Sequence, residues 1–200
     1  MSLIDRVTED TLSPEQRTRW EHAQATHGLT HMKQTLLRAP LAYDALMSWY
    51  PLRDALIPLI GERGTIVLSY AISTTNECVI CSLYFRKALQ ARGEPLDGKP
   101  LSPDEEDLAE FGRQVARDGR AERDLITTLI ERYGQPGVVL LTAFAGIMVA
   151  TNIVNEVLDV DPDDAILGLI TGDTDPVSAF PVLQRRNTPT TSTSEGGHAQ

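Results

Sequence analysis

The sequence predicts an all-α domain followed by a disordered tail, and three observations carry that prediction. First, a Ser-Pro helix start occurs twice, as LSPEQ at residues 12–16 and LSPDE at residues 101–105. In each, the serine is placed to cap a helix, the proline suits the first helical position, and Gln16 or Glu105 completes a capping box. Second, apolar residues recur at spacings of three and four through most of the chain. Third, only TIVLSYAIST, residues 65–74, has the β-branched and aromatic character of a strand. A lone strand has no partner, so this stretch is read as a buried helix.

The elements follow in order. After the helix opened by Ser13, residues 31–38 read as a short amphipathic helix halted by Pro40. Residues 41–50 and 52–59 make two more, and 65–74 is the buried helix. Residues 78–92 form a helix that ends at Gly93, a C′ glycine. The second capping box starts a helix in which Leu108, Phe111 and Val115 recur before Gly119 stops it. A further helix begins at Arg120 or Ala121, runs through Leu125, Leu129 and Ile130, and ends near Gly134. QPGVV then opens the most apolar helix, Val138 to about Leu158, with DVDPDD as its polar exit. Its apolar core, VVLLTAFAGIMVA, is 13 residues long. A membrane span needs about 20, so the helix is assigned to a protein core. Residues 1–172 are assigned to one domain and 173–200 to a mostly disordered tail, since RRNTPTTSTSEGGHAQ is rich in Ser, Thr and Gly and has no apolar anchor.

A net charge of −10 and a pI near 4.8 argue against nucleic acid or an anionic membrane as partner. MSLIDRVTEDTL lacks the apolar segment of a signal peptide, which points to the cytoplasm, where a structural disulfide is disfavoured. No internal repeat, GxGxxG, P-loop or GxSxG is present, and GERG at 61–64 is too short and too charged for a phosphate-binding loop.

The chemistry rests on NECVICSLYF, residues 76–85, which holds both cysteines of the chain, Cys78 and Cys81. With Asn76 or Thr75 as helix cap, both sulfurs lie on one face of the first turn. Unpaired N–H groups and the helix dipole there favour thiolate, and this argument makes Cys78 the more acidic thiol. A second sulfur one turn away can resolve a sulfenic acid or a mixed disulfide. Two other readings stand beside this dithiol. A zinc site would need four ligands. His27 and His31 could supply two, but the His-His then Cys-Cys order matches no compact zinc module, and surface positions suit His22, His27 and His31 better. Alternatively, the cysteines are small apolar core residues.

ISTTNECVICSLYFRKALQARG, residues 72–93, resembles the signature of the carboxymuconolactone decarboxylase and alkylhydroperoxidase D-like family. TLLRAPLAYDALM, LSPDEEDLAEFGRQVARDG and IMVATNIVNEVLDV resemble its flanking helices, so the likeness spans roughly residues 27 to 165. It implies an alkylhydroperoxidase D-like helical domain in which Cys81 attacks peroxide and Cys78 resolves. The implied activity is reduction of a peroxide or disulfide substrate, with an external dithiol as reductant and no bound cofactor or metal. The resemblance also implies self-association, from dimer to hexamer. The family's Glu and His fall on Ile66 and Phe85, neither of which moves a proton. Glu62 and Glu77 are the nearest carboxylates, although one adjoining Cys78 would raise its pKa. Tyr84, three residues from Cys81, could sit over it, though core packing accounts for it as well, and Trp49 and Tyr50 suit a core or a subunit contact. A catalytically degenerate scaffold of the same fold is the alternative function, and a decarboxylating lyase ranks last because no acid–base set for it is evident.

Overall fold

The computed structural model describes residues 2–93 and 100–170, with side chains through 167. The tail from residue 173 and the boundary assigned at 172 lie outside these. The described residues form helices joined by turns, with no strand among them. The elements are a 3₁₀ turn at Glu9–Thr11, then α1 (Pro14–Thr26), α2 (His31–Leu36), α3 (Pro40–Met47), α4 (Trp49–Thr75), α5 (Val79–Ala91), α6 (Pro103–Asp118), α7 (Arg123–Val157) and α8 (Asp164–Ile170).

Both capping boxes form: Ser13 accepts the Gln16 amide and Ser102 the Glu105 amide, and each partner side chain returns to the cap. Gly119 ends α6 in the left-handed region at φ 66. Several boundaries move. Pro40 does not stop α2 directly but starts α3 as its first residue, so α2 closes at Leu36 and a turn intervenes. The helix placed at Arg120 or Ala121 starts instead at Arg123, because the Gln114 side chain accepts the Glu122 amide at 2.7 Å and fixes the entry of the chain.

The segments read at 52–59 and 65–74 are two halves of α4, which breaks at Gly61 (φ 75, ψ 163). α7 breaks in the same way at Gly134 (φ 70, ψ 166), where the sequence placed the junction of two helices. The breaks share a G-x-x-G pattern, Gly61–Gly64 and Gly134–Gly137. The first glycine takes a dihedral pair that other residues avoid, and the second is buried where a side chain would collide. A Cβ on Gly64 would lie 3.2 Å from Leu108, and one on Gly137 would lie 2.9 Å from Tyr133 and 3.0 Å from Leu59. GERG is therefore a helix break.

The main core lies between α4, α6 and α7. It contains Leu68, Ile72, Leu108, Phe111, Leu129, Leu141, Phe144 and Met148. The N-terminal segment closes another side of α7: Val7, Trp20, Leu36, Leu37 and Tyr43 pack with Ile147 and Val154. The helical stretch Pro40–Thr75, α3 with α4, and α7 are each long and apolar enough to cross a membrane, yet α4 and α7 both place apolar residues in this core. The outer face of α7 remains apolar and uncovered, with Val139 70%, Ile153 53% and Val157 65% exposed.

α6 meets α4 at Gly112, where a Cβ would come within 3.1 Å of the Leu68 carbonyl oxygen and of the Leu68 and Ile72 side chains. Gly112→Ala is expected to destabilise the fold by roughly 1–3 kcal/mol, the usual range for overpacking, in a chemical denaturation curve. An unchanged midpoint would show that the two helices can part without cost.

Candidate redox site

Cys78 and Cys81 sit where the second half of α4 hands over to α5. Asn76 caps the end of α4 and Glu77 turns the chain at φ 56. The cap of α5 is Cys78 itself, with extended dihedrals (φ −75, ψ 97), which corrects the assignment of that role to Asn76 or Thr75. The Cys78 amide is tied back to the Ser73 carbonyl at 2.9 Å. Cys81 follows in the first turn of α5. Both are free thiols. They lie in an apolar cluster with Ile80, Leu83, Val160 and Ile166.

One polar side chain reaches both sulfurs. Asn155, buried on α7, directs its Nδ2 at Cys81 Sγ (3.2 Å) and Cys78 Sγ (3.9 Å). The thiols also interact with each other. The Cys81 thiol hydrogen-bonds the Cys78 sulfur and pulls the Cys78 pKa down, with the Cys81 backbone amide and Asn155 acting in the same direction against burial. Cys81 is pushed well up, chiefly as the donor in that bond and then by burial. The pair therefore gives up its first proton as a unit, with the remaining proton shared between the sulfurs.

Access divides them the other way. Cys78 is fully enclosed, whereas Cys81, 7% exposed, contributes to the wall of a cavity of about 330 Å³. Met32, Leu46, Trp49, Phe85 and Met148 give this cavity an apolar body, and Lys33, Tyr50, Tyr84, Asn155 and Asp163 give it polar points. Asp163 ties three elements together. Its Oδ1 accepts the His31 amide at the start of α2 (2.7 Å), its Oδ2 accepts the Tyr84 hydroxyl (2.8 Å), and its carbonyl opens α8. Burial, and then the bond to Asp163, raise the Tyr84 pKa. Lys33 is 2% exposed, and its ammonium donates to the Gly28 carbonyl at 2.6 Å and the His27 carbonyl at 3.4 Å. Burial pulls its pKa down to about 8, with Asp163 opposing.

The structure separates other candidates from the thiols. Glu62 is exposed and paired with Arg92, near the far end of α5. Glu77 is exposed and does not line the cavity. His27 stacks on Tyr50 with ring centroids 3.6 Å apart, and His31 Nδ1 lies 3.0 Å from the Asp161 carbonyl. The two histidines thus face different partners, and among the described residues no group of three or more His, Cys, Asp or Glu is assembled for a metal. Trp49 and Tyr50 both line the cavity, and Phe85 occupies its wall beside Cys81. Lys33, Asn155 and Asp163 were not singled out from the sequence. For Asn155 there was a signal, because Asn152 and Asn155 interrupt an otherwise apolar helix at helical spacing.

This architecture has a counterpart among solved structures. A crystal structure described as the alkylhydroperoxidase AhpD core, an uncharacterized peroxidase-related protein from Ralstonia eutropha JMP134, matches with a TM-score of 0.68 at 16% identity. The match covers 82% of this chain and 94% of that one. No family model and no curated protein matches the sequence. The chain therefore has the all-α AhpD-like fold, with a CxxC pair on its fifth helix.

Because Asn155 donates to both sulfurs, Asn155→Leu is expected to raise the apparent pKa of the first thiol to ionise and slow its alkylation at pH 7. The pH dependence of iodoacetamide modification measures this. An unchanged profile would mean that the two sulfurs alone set their acidity.

Proposed function

We propose that the protein is a thiol-dependent reductase of peroxides, in which Cys81 attacks and Cys78 resolves. The observation that carries this reading is the division of the pair: one sulfur borders a cavity and the other lies sealed behind it, within hydrogen-bonding reach. The Cys81 thiolate attacks the terminal oxygen of a hydroperoxide, so that an S–O bond forms and the O–O bond breaks. The products are a sulfenic acid and, after protonation, an alcohol. Cys78 then attacks the sulfenic sulfur, giving the disulfide and water. An external dithiol reduces the disulfide through exchange, itself becoming oxidised. A reducing cytosol suits such a cycle, and no bound cofactor enters it.

The site lacks the Glu and His that the family resemblance leads one to expect. Acid–base assistance is worth about two to four orders of magnitude, so the rate depends on what replaces them. A second reading, a scaffold whose thiols no longer react, is favoured by the burial of both sulfurs. Thiol titration with an alkylating fluorophore across pH 5 to 10, on the wild type, Cys78→Ser and Cys81→Ser, separates the two. An apparent pKa near or below 7, with peroxide converting the pair to a disulfide, is the expected result. Thiols that stay inert until the protein is denatured would establish the scaffold.

Self-association is part of this proposal. Val139, Ile153 and Val157 of α7 fall on one helical face, and a second copy of the chain is the partner we assign to them. Val139→Lys combined with Ile153→Lys is expected to lower the mass measured by light scattering. A wild-type monomer, or an assembly that ignores both lysines, would rule this interface out.

A further inference from the structure

Resting on the peroxide reading above, we propose that Lys33 is the general acid of the site, donating a proton to the oxygen that leaves when Cys81 attacks. The geometry that carries this is a shared cavity. Lys33, on α2, and Cys81, on α5, both line its wall, and the ammonium is held in place by the Gly28 and His27 carbonyls. Those bonds take two of its three N–H groups. Among the described residues no acceptor takes the third, and the ammonium lies 4.9 Å from the Tyr50 ring centroid.

The other candidates in the cavity are committed elsewhere. The Tyr84 hydroxyl already gives its hydrogen to Asp163. The Asp163 carboxylate is occupied by that hydroxyl and by the His31 amide. Arg53 is paired with Asp54 and lies over Trp49, and a guanidinium does not release protons near neutrality. Tyr50 is pushed up to about 12 by burial. His27 is stacked on Tyr50, and burial followed by Lys33 and Arg53 lowers its pKa. Lys33, pulled down to about 8, stays charged at neutral pH and is far better matched to donation than an ordinary lysine.

The step balances. As the O–O bond breaks, the alkoxide takes a proton from the Lys33 ammonium, leaving an alcohol, a Cys81 sulfenic acid and a neutral amine. Solvent reprotonates the amine while the Cys78 thiol condenses with the sulfenic acid to give the disulfide and water. Lys33 would thus do work that Phe85 and Ile66 cannot, from a segment outside the cysteine helix.

The test compares single-turnover oxidation of the reduced protein by tert-butyl hydroperoxide with its alkylation by iodoacetamide. Both reactions consume thiolate, but only the first releases an oxygen that needs a proton, so their ratio cancels the thiolate fraction. In the wild type, the ratio is expected to fall as pH rises through about 8, where Lys33 loses its proton. The charged and titratable groups that share a cavity with it are Asp163, Tyr84, Cys81, Tyr50, Arg53 and His27 on the Cys81 side and Arg19, His22, Tyr43, Asp44 and Asp54 on the other, with His31 two residues before it on α2. Lys33→Met and Lys33→Arg are expected to lower the ratio at pH 7 about a hundredfold and to abolish its fall. Lys33→Arg is decisive, since it keeps the charge without a transferable proton. A wild-type ratio in that variant, or a flat wild-type profile, would overturn the assignment and leave the peroxide reading intact. A wild type whose Cys81 alkylates but ignores peroxide would overturn both. The wild-type profile requires no variant to fold.

Discussion

Gly112 lets α6 ride directly on the backbone of α4, with a carbonyl oxygen where its side chain would otherwise lie. That close approach constrains the rest of the molecule. Helices that meet at a glycine come nearer than their side chains would permit, so the flanking Leu68, Ile72, Leu108 and Phe111 interlock closely. α4 and α7 each contribute to that core from both sides of a break, Leu56 with Leu68 and Ile72 from α4 and Leu129 with Leu141 and Phe144 from α7, so each helix must change direction along the core. The breaks at Gly61 and Gly134 meet that requirement. Each is followed three residues on by a buried glycine that keeps the second half close to its neighbours.

The site follows from where those second halves end. α4 stops at Thr75 with its last turn bonded back on itself, and the amide of Cys78 returns to Ser73. This pins the start of α5 against α7 at the level of Asn155. A buried amide there has few ways to satisfy its donors, since the surrounding surface is apolar, and the Oδ1 acceptor of the same side chain is left without a partner. The two sulfurs are what it finds. Leaving a buried donor unpaired costs about 1–3 kcal/mol, so Asn155 and the thiols hold one another in place. Asp163 does similar work on the opposite wall, joining α2 and α5 through its carboxylate and α8 through its backbone carbonyl. The cavity is enclosed by segments far apart in sequence, from residue 27 to residue 163.

That dispersion sets how much of the molecule could be read in advance. Capping boxes, helical periodicity and the glycine stops are local, and they placed the helices and the Gly134 junction. The CxxC pair is local too. What could not be read locally is which side chains surround the sulfurs. Lys33 looks like an ordinary surface lysine in HMKQTL, and only the fold buries it. Asp163 is one of four aspartates in DVDPDD, and nothing in that run marks it as the one aimed inward. The cap of α5 was misplaced because asparagine is the stronger capping residue, and the tight turn at Glu77 moved that role two residues on to a cysteine.

Acidity favours Cys78 and access favours Cys81, and the coupling between the two sulfurs resolves this. The hydrogen bond that lowers Cys78 raises Cys81, so the two directions describe one shared proton. Moving it from Cys81 to Cys78 across a single contact creates a thiolate on the cavity wall, where Asn155 approaches most closely at 3.2 Å. The same move leaves the enclosed sulfur protonated, the form that the proposed condensation with a sulfenic acid requires. On the proposed reading, the sealed thiol is the proton reservoir for the sulfur on the cavity wall. The arrangement works only while both sulfurs stay within one hydrogen bond of each other, and the rigid turn between α4 and α5 holds them there.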